Sequence, residues 1–181
     1  DQVVLVTGAG RGIGLEAARG LAWLGSRVVI AEVDPETGKR AAELIQAEFG
    51  GDRSLFVETD VGSESSVAAL QQIVQKHYGS VEVVINNATI TSMGAVADLP
   101  ITDWDASYRV NLRGPVLLAR AFLPGMIERD SGVFACVSSV GQACMGAYEC
   151  FKVAQVHLVD TLDAELEGTG VAAFTIAPGL V

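Results

Sequence analysis

Two side chains with complementary chemistry stand four residues apart in the stretch YECFK at 148–152. If that stretch is helical, Tyr148 and Lys152 project from one face, one turn apart. An ammonium beside a phenol stabilises the phenolate and brings the tyrosine pKa down from near 10 toward working pH. Such a tyrosine can take a proton from an alcohol or return one to a carbonyl. The spacing alone is common, so its meaning depends on what the rest of the chain brings to it.

A second stretch, TGAGRGIG at 7–14, follows the apolar run VVLV and precedes a helical pattern. Gly8, Gly12 and Gly14 give the spacing G-x-x-x-G-x-G. A loop of this kind makes a tight turn, lets backbone approach a pyrophosphate, and starts a helix whose N-terminal dipole favours anionic oxygens. Between a strand and a helix, it points to a dinucleotide or nucleotide site. Glu32 stands at the end of the second apolar run, eighteen residues beyond Gly14. A carboxylate there accepts hydrogen bonds from both ribose hydroxyls and repels a 2′-phosphate. Arg11, inside the loop, is a cation that could attract such a phosphate. The carboxylate is the closer obstacle, which favours NAD(H) over NADP(H) as cofactor. Hydride exchange with the nicotinamide would then accompany proton exchange at Tyr148.

Apolar runs at 3–7, 27–33, 54–60, 81–86, 132–139 and 171–177 read as strands, most of them near-continuous Val, Ile, Leu and Phe. That pattern fits parallel strands buried on both faces. Helical stretches fall between them at 13–24, 36–49, 64–78, 102–128 and 148–167, with Thr102 and Asp105 as a capping signal for the fourth. The alternation predicts an α/β fold: a doubly wound parallel sheet, Rossmann-like, in three α/β/α layers. No linker or repeat divides the chain, so 1–181 reads as a single domain with its ligand beyond the carboxyl ends of the strands.

Composition narrows the function classes. Half of the 181 residues are hydrophobic and the net charge is −10, with a pI near 4.5. An acidic chain of this kind is not expected to bind nucleic acid or an anionic membrane surface. The uncharged run 131–148 carries Gly132, Ser138, Ser139, Gly141, Gln142 and Gly146, too polar for a bilayer core. Cys136, Cys144 and Cys150 are odd in number and lack CxxC spacing, so they read as buried or half-buried free thiols of a reducing, cytoplasmic compartment. His77 and His157 stand far apart, and no metal site is expected.

Further short motifs appear in order: NNA at 86–88, VNLRG at 110–114, SS at 138–139 and PGLV at 178–181. Together with TGAGRGIG and YECFK, this set resembles the short-chain dehydrogenase/reductase family across essentially the whole chain. The resemblance implies that Thr7, Gly8, Gly12 and Gly14 form the pyrophosphate loop, with Ile13 in the backbone cradle. It implies that Asp60 and Val61 contact adenine, and that Asn87 and Ala88 line the groove beneath the adenosine ribose. Asn111 matches the asparagine that holds a proton-relay water near the lysine, and Ser139 matches the serine that hydrogen-bonds the reacting oxygen. Which of Ser138 and Ser139 takes that part is open. Tyr148 would be the general acid/base, with Lys152 tuning it and binding the nicotinamide ribose. Pro178, Gly179 and Val181 match the turn that meets the nicotinamide.

The implied activity is hydride transfer between NAD(H) and a secondary alcohol or ketone. The alternatives are an NAD-binding protein with little turnover and an epimerase or isomerase that retains its NAD. Family members pair two long helices between subunits, here 102–128 and 148–167, which implies a homodimer or homotetramer. Four departures from the family pattern stand out: Thr89 where glycine is common after NNA, a Ser139–Tyr148 gap about four residues short, the trio Glu149, Cys150 and Phe151 between tyrosine and lysine, and an end at PGLV. Family members usually continue into a helical substrate lid and a last strand, which the resemblance implies the domain at 1–181 lacks.

Overall fold

Strands packed between two helical layers need apolar side chains on both faces, and the Val- and Ile-rich runs supply them. The structure, a computed structural model, describes residues 2–139 and 144–179. Its elements alternate as β1 (Val3–Thr7), α1 (Gly12–Trp23), β2 (Arg27–Glu32), α2 (Pro35–Phe49), β3 (Ser54–Glu58), α3 (Glu64–Tyr78) and β4 (Val83–Asn86). After these come α4 (Ile101–Ser107), a π-helical turn at Tyr108–Arg113, α5 (Gly114–Glu128), β5 (Gly132–Val137), α6 (Gly146–Glu165) and β6 (Val171–Ile176). The order across the sheet is β3-β2-β1-β4-β5-β6, with every pairing parallel. The chain runs outward from β1 to β3, then returns to place β4 on the other side of β1. That reversal opens a crevice between the ends of β1 and β4, where doubly wound sheets take their ligands.

Two apolar layers hold the sheet. On one face Leu5, Val29, Val84 and Phe134 pack with Leu70, Leu118 and Met126 from α3 and α5, joined by Val159 of α6. On the other, Val4, Val6, Val28 and Ile30 meet Ala18, Ala22, Ala41 and Ile45 of α1 and α2. The alanines of α1 let that helix lie close against β1, which fixes where its first turn, and so the glycine loop, must sit. In α2, Asp34 caps the helix by accepting hydrogen bonds from the Glu36 and Thr37 amides, with Pro35 beginning the first turn.

Three features differ from the sequence reading. The stretch 102–128 is not one regular helix: α4 gives way to the π-helical turn before α5. Pro115 is one physical reason, since it has no N–H to offer the Asn111 carbonyl four residues back. The helix also begins at Ile101 with no side-chain cap, so the Thr102–Asp105 signal goes unused. Finally, β6 is buried on one face only: Val171 and Ala173 are in the core, while Phe174 and Ile176 are exposed. Among the described residues no element covers the second face of this edge strand.

Candidate active site

The glycine loop is tight first because of the protein itself. Gly8 has φ +62°, and a Cβ there would stand 2.8 Å from the Ala88 Cα. A Cβ on Gly14 would meet the Asn87 amide and the Gly8 carbonyl, both at 2.5 Å. The loop after β1 and the loop after β4 are therefore pressed together with no room for side chains. Hydrogen bonds lock them: the Thr7 hydroxyl oxygen accepts from the Asn87 and Ala88 amides at 3.0 Å each. The Asn87 side chain donates back to the Thr7 and Gly8 carbonyls. Thr7 is wholly buried, so its part is to clamp the two loops. Space around Gly12, by contrast, is open.

Glu32 ends β2 with both carboxylate oxygens engaged. One accepts from the Gly10 amide at 3.0 Å, the other from the Val33 and Asp34 amides at 2.9 and 3.3 Å. Gly10, which the spacing argument passed over, is needed here, because a Cβ would come within 2.9 Å of this carboxylate and 2.7 Å of the Thr37 hydroxyl. On the opposite wall, Asp60 pairs with Arg109 at 2.8 Å and accepts from the Gly62 amide. These groups line a cleft of about 520 Å³ that also includes Arg11, Ile13, Val61 and the segment Asn87, Ala88, Thr89 and Ile90. Of the predicted cofactor-binding residues, Gly8, Arg11, Ile13, Glu32, Asp60, Val61, Asn87 and Ala88 thus converge on one cleft.

The Tyr148–Lys152 pair lies on α6, where the helix packs against the end of β5. Lys152 is 2% exposed. Its Nζ donates to the Val137 carbonyl at 2.7 Å and to Gln155 Oε1 at 3.4 Å, and it lies 5.9 Å from the centre of the Tyr148 ring. Burial pushes the lysine down to about 8, with Cys136 acting weakly the other way. The Cys136 thiol is itself pushed up to about 11 by burial, partly opposed by a hydrogen bond from Asn86 and by Lys152. The first turn of α6 is fixed from outside: the Tyr148 amide donates to the Ser92 carbonyl, and the Gly94 amide donates to the Cys144 carbonyl. Residues 140–143, within the shortened Ser139–Tyr148 gap, lie outside the described residues. Ser138 is buried and its hydroxyl donates to the Lys152 carbonyl at 3.3 Å, whereas Ser139 is half-buried.

Asn111 sits in the π-helical turn with its side chain fully engaged. Its Oδ1 accepts from the Thr89 hydroxyl and the Ile90 amide, and its Nδ2 donates to the Ile90 carbonyl and the Ser107 hydroxyl. Thr89, the departure from the usual glycine, thus finds its partner in the site. The Asn111 carbonyl accepts from Gln155 Nε2. Sequence reading missed Gln155, although its place three residues beyond Lys152 on one helical face was available as a signal. It also missed Arg109, for which no sequence signal existed. Pro178 and Gly179 are exposed beyond β6 and do not line the cleft, and Val181 lies outside the described residues. Cys136 is buried, whereas Cys144 and Cys150 are exposed: both fall where α6 begins and turns outward, which corrects the expectation of three buried or half-buried thiols. Among the described residues no cluster could hold a metal ion, and no helix is long and apolar enough to cross a membrane.

The sheet is thus doubly wound, with a tightly packed glycine loop at its switch point, a carboxylate at the end of β2 and a tyrosine–lysine pair on α6. The chain matches the short chain dehydrogenase family model over residues 2–181. It is 34% identical over 184 residues to an uncharacterized oxidoreductase of Thermotoga maritima, covering 99% of this chain and 71% of that one. A short-chain dehydrogenase/reductase from Burkholderia phymatum, crystallised with NAD, superposes with a TM-score of 0.92 at 29% identity, covering 99% of this chain and 66% of that one. A metagenomic short-chain oxidoreductase crystallised with NADP gives 0.92 at 34% identity, with 99% and 83% covered. Of a short chain dehydrogenase of Pseudocercospora fijiensis the chain spans 60% of the length, and of a probable oxidoreductase of Mycobacterium bovis 31%. The chain belongs to the short-chain dehydrogenase/reductase family of oxidoreductases.

The residues present fit a nicotinamide dinucleotide: the open approach at Gly12, the cleft between the loops and the fixed Glu32 carboxylate form its cradle. The buried lysine has a measurable signature of its own. Because its folded pKa is below the unfolded value of 10.5, the ammonium costs stability on the order of 3 kcal/mol below about pH 8. That cost fades as pH rises from 8 toward 10.5. Lys152→Met should therefore raise the unfolding free energy near pH 7, and the gain should shrink near pH 9. Urea titrations at the two pH values check this, and a gain that does not change with pH would contradict it.

Proposed function

We propose that the protein interconverts a secondary alcohol and a ketone, with NAD(H) rather than NADP(H) as hydride partner. The observation that carries this reading is the buried Lys152 Nζ, 5.9 Å from the Tyr148 ring centre, beside the cleft that ends β1, β2 and β4. The nicotinamide, when bound, accepts or supplies the hydride. Tyr148 takes the alcohol proton as the hydride leaves carbon, or returns it when a carbonyl is reduced. Lys152, held by the Val137 carbonyl, would carry its positive charge beside the phenol and bind the nicotinamide ribose. Ser139 would hydrogen-bond the reacting oxygen and fix its distance from the phenol. Pro178, Gly179 and Val181 would meet the nicotinamide end, and Thr7, Gly12 and Gly14 would shape the pyrophosphate loop.

The preference for NAD(H) rests on Glu32. Its carboxylate is fixed by three backbone amides, so it cannot swing away from a 2′-phosphate without giving them up. Arg11 lines the same cleft, but among the described residues no comparable constraint directs it. Exposed apolar side chains on the helical layer, Ile101, Tyr108, Ile127 and Val153, support a homodimer or homotetramer in which a second copy covers them.

Three outcomes are expected. Tyr148→Phe should lower turnover, followed at 340 nm across a panel of secondary alcohols, by on the order of 10²–10⁴-fold, while NADH binding by fluorescence stays near that of the unaltered protein. Equal rates would remove Tyr148 from the chemistry. Glu32→Ala should reduce the NAD/NADP ratio of kcat/KM by roughly ten- to a hundredfold, the loss of a charged hydrogen-bonding partner. An unchanged ratio would discard Glu32 as the selector. Light scattering should give a dimer or tetramer, and a stable monomer would refute the pairing of the helices.

A further inference from the structure

Gln155 lies one turn beyond Lys152 on α6 and is wholly buried. A buried primary amide is tolerated when both of its ends are hydrogen-bonded. Here Oε1 accepts from Lys152 Nζ at 3.4 Å, and Nε2 donates to the Asn111 carbonyl. The orientation is forced: a lysine amine offers its protons, a carbonyl oxygen only accepts, and a flipped amide would lose both contacts. The α-helical donor to the Asn111 carbonyl, the amide four positions on, is missing because that residue is Pro115. Asn111 is in turn immobilised by Thr89, Ile90 and Ser107. One continuous set of bonds therefore runs from the edge of the cofactor cleft to the lysine.

We propose that Gln155 is a positioning residue: its amide ties the Lys152 amine to the π-helical turn and sets both where that amine points and how firmly it holds its proton. The consequence for Tyr148 rests on the hydride-transfer reading above, whereas the effect on Lys152 does not. Few other groups compete for this part. Among the described residues, the titratable groups facing Lys152 are Tyr148 on its own helix and Cys136 from β5, where Asn86 of β4 also contacts the thiol. The charged residues of the π-helical turn, Arg109 and Arg113, are turned to Asp60 and the Gly62 carbonyl.

The chain has three lysines, and Lys39 and Lys76 are exposed, so Lys152 can be followed by NMR of 13C,15N-lysine protein with two internal references. Removing the accepting carbonyl in Gln155→Met should lower the Lys152 titration by about one pH unit, and the carboxylate of Gln155→Glu should raise it by about as much. A folded pair of variants in which Lys152 titrates as in the unaltered protein would overturn the proposal. If Gln155→Met fails to fold, Gln155→Glu, nearly identical in shape, decides alone: an upward shift supports the contact, and no shift overturns it. In alcohol oxidation the alkaline limb of kcat/KM should move in the same direction as the lysine. Lysine shifts as expected, with no turnover by any of the proteins including the unaltered one, would count against hydride transfer and leave the Gln155 contact standing.

Discussion

A lysine amine buried at the end of β5 is the constraint around which the rest of the site is arranged. Taken out of water, a charged ammonium is costly unless carbonyl or carboxylate oxygens receive its protons. The Val137 carbonyl and the Gln155 amide do so, and each belongs to a different layer of the fold. The contact with β5 holds the first turns of α6 against the sheet. The contact through Gln155 holds α6 against the π-helical turn. Tyr148, one turn earlier on the same helix, is thereby given its place without a direct bond to the lysine. What stabilises the lysine also directs the phenol.

The second organising fact is the reversal of strand order between β1 and β4. It brings two loops far apart in sequence, 7–14 and 87–91, into such close approach that Gly8 and Gly14 leave no room for a Cβ. Part of the glycine pattern that reads as a phosphate loop is thus explained by packing of protein against protein. The two uses are linked, because the tight contact points α1 and its unpaired amides at the cleft. Glu32 and Asp60 then line the same cleft, one held by backbone amides and the other by Arg109.

Most of the architecture was legible before any coordinates. The continuous Val/Ile runs of β1 to β5 and the glycine or proline at element ends specify a parallel sheet with helical crossovers, and strand positions agree within a few residues. The legibility failed where the reason was non-local. The π-helical turn follows from Pro115 acting four residues back and from bonds that Asn111 makes to Ile90 and Thr89. The exposed face of β6 follows from which helices reach that edge, and no periodicity records that. Ser138 and Ser139 are equivalent in sequence; only the packing of α6 on β5 turns the Ser138 hydroxyl to the Lys152 carbonyl.

By itself the sequence determined the fold class, the location of a cleft at the strand ends, and the candidate residues Glu32, Asn111, Ser139, Tyr148 and Lys152. These depend on local periodicity, loop chemistry and short ordered motifs, all of which act over a few residues. Tertiary structure alone decided that Gly8 must face Ala88, that Arg109 pairs with Asp60, and that Gln155 bridges Lys152 and Asn111. Apart from the Gln155–Lys152 bond, those are contacts between segments 40 or more residues apart, and their energies come from burial and hydrogen-bond geometry that exist only once the layers have packed.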